Sequence, residues 1–122
     1  MSMKDRALKY FEAFSSKNLD ILSEIYADDI VLEDWVETHR GKDNVIEANR
    51  GLFETIEIVT IKVLELFGCG CSKKIAGSVS CKIEITLADA EDNTTLLEVV
   101  DILEFDEDGK ISGIKAYLGN KA

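Results

Sequence analysis

The 122 residues, 46% hydrophobic and 31% charged, suit a single compact domain over 1–122, being too few for two ordinary domains and too apolar for a disordered tail. Fourteen basic against 24 acidic residues leave a net charge of −10, which argues against a nucleic-acid or anionic-membrane partner, since both need clustered Lys and Arg. With no apolar run of spanning length and no apolar stretch after Met1–Arg6, the expected location is cytoplasmic.

Helical signals fill the first half of the chain. Ser2-Met3-Lys4-Asp5 fits a capping box, and Met3, Ala7, Tyr10, Phe11 and Phe14 recur at helical spacing as one buried stripe. Ser15 to Asn18 interrupt it. Leu19, Leu22, Ile25 and Tyr26 then make a second, shorter helix, and Ile30 to Val36 alternate as a strand. Gly41 closes the following loop, and Asp43 can cap a third helix with Val45, Asn49, Leu52 and Phe53 on one face.

From Ile58 the period changes to two. Ile58 to Phe67 reads as a long strand, and Gly68, Gly70 and Gly77 permit a tight connection or sheet bend. Ile75, Val79, Cys81, Ile83, Ile85 and Leu87 then share one strand face. Asp89 to Asn93 is a turn, Thr95 to Phe105 a strand, Asp106 to Gly109 a turn and Ile111 to Leu118 the last strand. A calcium loop at Asp106 is rejected, because Lys115 falls where the bidentate Glu belongs. Cys69, Cys71 and Cys81 read as free thiols in or beside strands. Cys69-Gly70-Cys71 lacks a nearby fourth ligand, His39 being distant, so no metal is expected. Helices followed by strands give an α+β fold.

Periodicity also puts polar groups on apolar faces. Asp34 shares a strand face with Ile30, Leu32 and Val36, and Asp101 shares one with Leu97, Val99, Leu103 and Phe105. Tyr10 lies mid-stripe on the first helix. An unpaired buried carboxylate costs several kcal/mol or shifts its pKa. Two readings stand: each Asp pairs with a Lys, an amide or water at a strand end, or the three form a polar cluster in an apolar cavity. In the second, one carboxyl stays protonated as a donor while the other serves as base.

At these residues the chain resembles the bacterial ketosteroid isomerases of the nuclear transport factor 2-like superfamily, which also holds SnoaL-like polyketide cyclases. Asn18-Leu19-Asp20 and Tyr26 to Asp34 are similar to the segment leading to the family's catalytic Asp, and Val99 to Phe105 with Gly109-Lys110 to the segment carrying its second Asp. The resemblance implies a cone: a strongly curved antiparallel sheet around about three N-terminal helices, enclosing an apolar pocket. It implies Asp34 as general base, with Tyr10 and a protonated Asp101 donating hydrogen bonds to a dienolate oxygen during a double-bond shift. No cofactor is implied. Substrate contacts would come from Tyr26, Trp35, Val36, Asn49, Phe53, Val99 and Leu103, around a hydrophobic small molecule. A homodimer would pack through the outer sheet face at Val100 and Ile102.

There are departures. Asn49 stands near a third-helix position that is a phenol in some isomerases, Trp35 follows the base where those isomerases have proline, and the loop from Asp34 to Gly41, with His39 and Arg40, is shorter. These keep open a cyclase, dehydratase or hydrolase on another hydrophobic substrate, and a ligand-binding dimer without catalysis.

Overall fold

The computed structural model describes residues 2–69 and 76–121. Helix α1 (Met3–Ser15) opens on the expected box: Asp5 N–H donates to Ser2 Oγ at 3.1 Å, and Ser2 N–H donates back to Asp5 Oδ2 at 3.3 Å. Its buried face carries Ala7, Tyr10, Phe11 and Ala13. Lys17, at φ 56°, turns the chain into α2 (Leu19–Ile25), where Asn18 Oδ1 accepts from Ile21 N–H at 3.1 Å.

Two boundaries differ from the periodicity. Tyr26 opens strand β1 (Tyr26–Glu33) rather than closing α2, and still points into the core. The helical spacing ran through it because a helix and the first residue of a strand can present the same inward face. Helix α3 (Lys42–Thr55) follows β2 (Thr38–Arg40), and its N-cap is Gly41 at φ 86° rather than Asp43. A side chain is disfavoured at that φ, and Gly41 N–H is committed to Ile30 O at 2.7 Å. Asp43 instead lies in the first turn, where its charge suits the helix dipole.

Strands β3 (Ile58–Cys69), β4 (Gly77–Ala88), β5 (Thr94–Phe105) and β6 (Ile111–Lys121) complete an open six-stranded sheet of order β2-β1-β6-β5-β4-β3. The sheet is mixed rather than wholly antiparallel, because β1 runs parallel to β6. No hairpin turn constrains that pair, and the intervening chain supplies the crossover that parallel neighbours need. Register shifts at Tyr26/Val31, Val63/Glu65, Leu97/Val99 and Glu104/Phe105 mark bulges, which bend and twist strands. Gly70, Cys71 and Ile75 lie outside the described residues.

Both acidic turns form as expected. Asp89 Oδ1 accepts from Glu91 and Asn93 N–H, and Asp106 Oδ1 accepts from Asp108 and Lys110 N–H. Gly109 is favoured in the second turn by its left-handed backbone conformation. Its φ is 76°, and a Cβ there would stand 2.5 Å from the Arg6 guanidinium, which donates to Gly109 O at 3.1 Å.

The core lies between the helices and one sheet face, with α1 packed on β3 and β4, and α3 on β1 and β2. Val79, Cys81, Ile83, Val99, Leu103, Phe105, Ile111 and Ile114 meet Ala7, Tyr10, Phe11, Leu22 and Tyr26 there. Each large apolar side chain so buried contributes about 2 kcal/mol. Among the described residues no helix is long and apolar enough to cross a membrane.

Candidate functional site

Four elements, α1, β1, α3 and β5, bring Tyr10, Tyr26, Asn49 and Asp101 into one dry cluster. Tyr10 stands on the inner face of α1 and Tyr26 begins β1, their ring centroids 6.3 Å apart. Tyr26 Oη donates to Asn49 Oδ1 on α3 at 2.7 Å, so the inward Asn49 accepts where a phenol would stand in the resembled isomerases. The Tyr10 hydroxyl interacts in turn with that of Tyr26. The order runs from Tyr10 through Tyr26 to Asn49. Burial, above all, raises the pKa of both phenols well above the usual tyrosine value, so both remain protonated donors.

Asp101 faces the phenols from β5, 7% exposed, between its cross-strand partners Cys81 and Ala116. Burial pushes its carboxyl up to about 7, and its charge is felt at Tyr10, Tyr26 and Cys81. Burial, with Asp101 beside it, pushes the Cys81 thiol up to about 12. A carboxyl poised there is a neutral donor below neutral pH and an anion above it. Two donors, a phenol and a carboxylic acid, thus share one water-poor interior.

Asp34 is elsewhere. β1 ends at Glu33, and Asp34 begins the turn into β2. Its Oδ1 accepts from Val36 N–H at 2.7 Å and Glu37 N–H at 2.9 Å, while its own N–H donates to Glu37 O at 3.0 Å. Such local bonding competes with strand extension. This is why the strand expected over Ile30 to Val36 stops three residues early, at Glu33. The half-buried carboxyl lines a cleft of about 260 Å³ with Glu33, Trp35, Lys115, Ala116, Tyr117 and Leu118. Trp35 (46% exposed) lines this cleft, Val36 (73% exposed) follows it in the turn without lining the cleft, and Phe53, Val99 and Leu103 are buried in the core. His39 pairs with Glu37 at 3.2 Å, so the rim histidine has an acidic neighbour outside the buried cluster.

Five cleft residues, Glu33, Lys115, Ala116, Tyr117 and Leu118, escaped the sequence reading. For those on β6 the signal was the β5–β6 hairpin register. Counting outward from Phe105↔Ile111 alone would pair Asp101 with Lys115, but the bulge between Glu104 and Phe105 moves its partner to Ala116.

The SnoaL-like domain model matches residues 7–114. The chain belongs to the SnoaL-like family. Solved structures share its fold at low identity. A hexachlorocyclohexane dehydrochlorinase, LinA-type3, from Novosphingobium barchaimii LL02 is 14% identical at TM-score 0.84, over 98% of this chain and 85% of that one. A proposed SnoaL-like polyketide cyclase from Shewanella denitrificans OS-217 is 16% identical at TM-score 0.83, over 96% and 90%. An LEH-like epoxide hydrolase of M. tuberculosis is 18% identical at TM-score 0.76, over 93% and 80%. No curated protein matches the sequence. At such identities the SnoaL-like fold is what these proteins share, and the family's chemistries are diverse.

Proposed function

We propose that this SnoaL-like protein is a cofactor-free isomerase of the ketosteroid type, acting on an apolar cyclic ketone. Asp34 removes a proton alpha to the carbonyl and returns it further along the conjugated system. Tyr10, its hydroxyl proton turned from Tyr26 to the ligand, and protonated Asp101 donate hydrogen bonds to the dienolate oxygen, and Tyr26, which keeps its bond to Asn49, stands behind Tyr10. The observation that carries this reading is the pairing of a buried phenol with a buried carboxyl near its neutral form. Two donors in a low-dielectric site stabilise a developing oxyanion far better than water-exposed ones do. Phe53, Val99 and Leu103 supply apolar surroundings, and Trp35 the rim. A second copy of the chain would pack on the outer sheet face at Val100 and Ile102, where Val100 is 38% exposed.

The test is incubation with a β,γ-unsaturated ketosteroid, following the absorbance of the conjugated enone. Conversion that disappears in Asp34→Asn and falls in Tyr10→Phe supports the assignment, and conversion unchanged in Asp34→Asn removes the base. One observation favours a second reading: the Asp34 carboxylate is engaged by two backbone amides outside the buried cluster. That arrangement suits a cyclase, dehydratase or hydrolase whose substrate is acted on at the rim. Ketosteroid binding without isomerisation would favour it.

A further inference from the structure

The cleft lined by Asp34 and the buried cluster holding Asp101 are separate neighbourhoods that meet at one residue. Ala116 alone among the described residues both lines the cleft and packs against the apolar core. It is also the cross-strand partner of Asp101. The parallel pairing of β1 with β6 ends at Leu32↔Ile114 and Glu33↔Lys115, so the next position along, Asp34, falls level with Ala116. The order across the sheet is therefore Asp34, Ala116, Asp101, with neighbouring strands about 4.8 Å apart. The outer two backbone positions are then on the order of 10 Å apart, by the same spacing. Between them stands one methyl group. β1 stops at Glu33, so β6 has no β1 neighbour alongside Ala116 and its flank opens onto the cleft.

We propose that Ala116 is a specificity-determining residue: its small side chain leaves the way open from the Asp34 cleft to the Asp101 carboxyl and sets how broad a ring can lie between them. Trp35, Tyr117 and Leu118, exposed at the cleft, receive the part of the ligand that remains outside. The ligand class is a flat apolar ring bearing one oxygen that accepts hydrogen bonds. This deepens the isomerase reading and rests on it for the role of Tyr10 and Asp101, though not for that of Asp34.

Phenol and 2-naphthol serve as probes, because each offers one such oxygen on a narrow or a broad ring. Binding is followed by 2-naphthol fluorescence and by competition with phenol, using wild type, Ala116→Gly, Ala116→Leu and Tyr10→Phe. In Ala116→Leu, 2-naphthol affinity should fall about tenfold or more and phenol affinity much less, as added methylenes in an apolar passage discriminate by that order. Ala116→Gly should retain or tighten 2-naphthol, and it keeps the test meaningful should Ala116→Leu fail to fold. Equal effects on both probes in Ala116→Leu, or a loss of 2-naphthol affinity in Ala116→Gly, overturn the proposal while the Tyr10 dependence of binding leaves the donor pair standing. Probe binding indifferent to Tyr10→Phe, or no binding to wild type, overturns both.

Discussion

The two halves of the candidate site are built on opposite principles. Tyr10, Tyr26, Asn49 and Asp101 come from four elements, are all buried, and the two phenols and Asn49 hold one another through side chains. Asp34, Trp35 and Val36 are consecutive, lie at a turn, and are fixed by their own backbone. Donors that work by desolvation must be dry, because water would screen them and compete for the oxyanion. A base that must carry charge before reaction is better left at a wetter rim, where its ionised form is cheap. The difference therefore suggests a division of labour rather than an incomplete constellation.

The largest effect should come from the rim. If Asp34 is the base, Asp34→Asn lowers kcat about 10²- to 10⁴-fold in the enone assay, the usual range for a lost general base. Melting temperature should change little, because the Asn Oδ1 can still accept from Val36 and Glu37 N–H. An Asp34→Asn enzyme of undiminished kcat would break the division at once.

The dry half should respond to pH instead. The Asp101 carboxyl rises from 3.8 to about 7 in the folded protein because burial disfavours its charge. The folded state thus holds a proton there that the unfolded chain has lost. Asp101 has no such effect on stability below about pH 4, costs more as pH rises to about 7, and costs about 4 kcal/mol above that. Asp101→Asn should therefore raise the melting temperature most at pH 8 and least at pH 4. Wild-type kcat/KM should fall about tenfold per unit above pH 7 as the donor is lost, and Asp101→Asn, which donates at every pH, should flatten that limb. A melting difference independent of pH would show that the carboxyl is not desolvated.

Legibility in the sequence followed the same division. Tyr10 and Asp101 could be found because a helix stripe and a strand alternation each reveal a polar residue on a buried face. Asn49 was visible for the same reason, as a polar residue between Val45 and Phe53 on the inner face of α3. Asp34 was expected on an apolar strand face, whereas it lies in the turn after β1, and its surroundings were not legible. The alternation gave no sign that the side chain would bind its own backbone and end β1 at Glu33. The parallel pairing of β1 with β6 and the bulge that sets Ala116 opposite Asp101 were hidden for a related reason. Both are long-range choices of register, and a one-residue slip exchanges the faces without changing the local pattern.

A smaller effect tests whether the dry half is held as one unit. Asn49→Leu leaves the 1%-exposed Tyr26 hydroxyl without its acceptor and should cost about 1–3 kcal/mol in urea unfolding. The paired Tyr26→Phe/Asn49→Leu change removes both polar ends. It should recover part of the loss, so the two changes are less than additive. Tyr10 would then donate without a phenol behind it, which should lower kcat more than it raises KM. Additive losses in stability would mean that Tyr26 and Asn49 are independent neighbours.

The smallest expected effect concerns the foundation of that half. Asn49 and Phe53 are held in place by α3, whose first turn has no side-chain cap at Gly41. Its other end is secured from outside: Lys17, in the turn after α1, donates to Phe53 O at 3.0 Å and also to Ile56 O. A cation bonding terminal carbonyls both satisfies them and complements the negative end of the helix dipole. Lys17→Met keeps the apolar stem and removes the ammonium, so it should cost about 1–2 kcal/mol. The loss should appear as faster amide exchange over residues 52–56, with the β1–β2 turn around Asp34 unaffected. Exchange that quickened equally at both places would mean the two halves of the site rise and fall together, and the division between them would be one of position only.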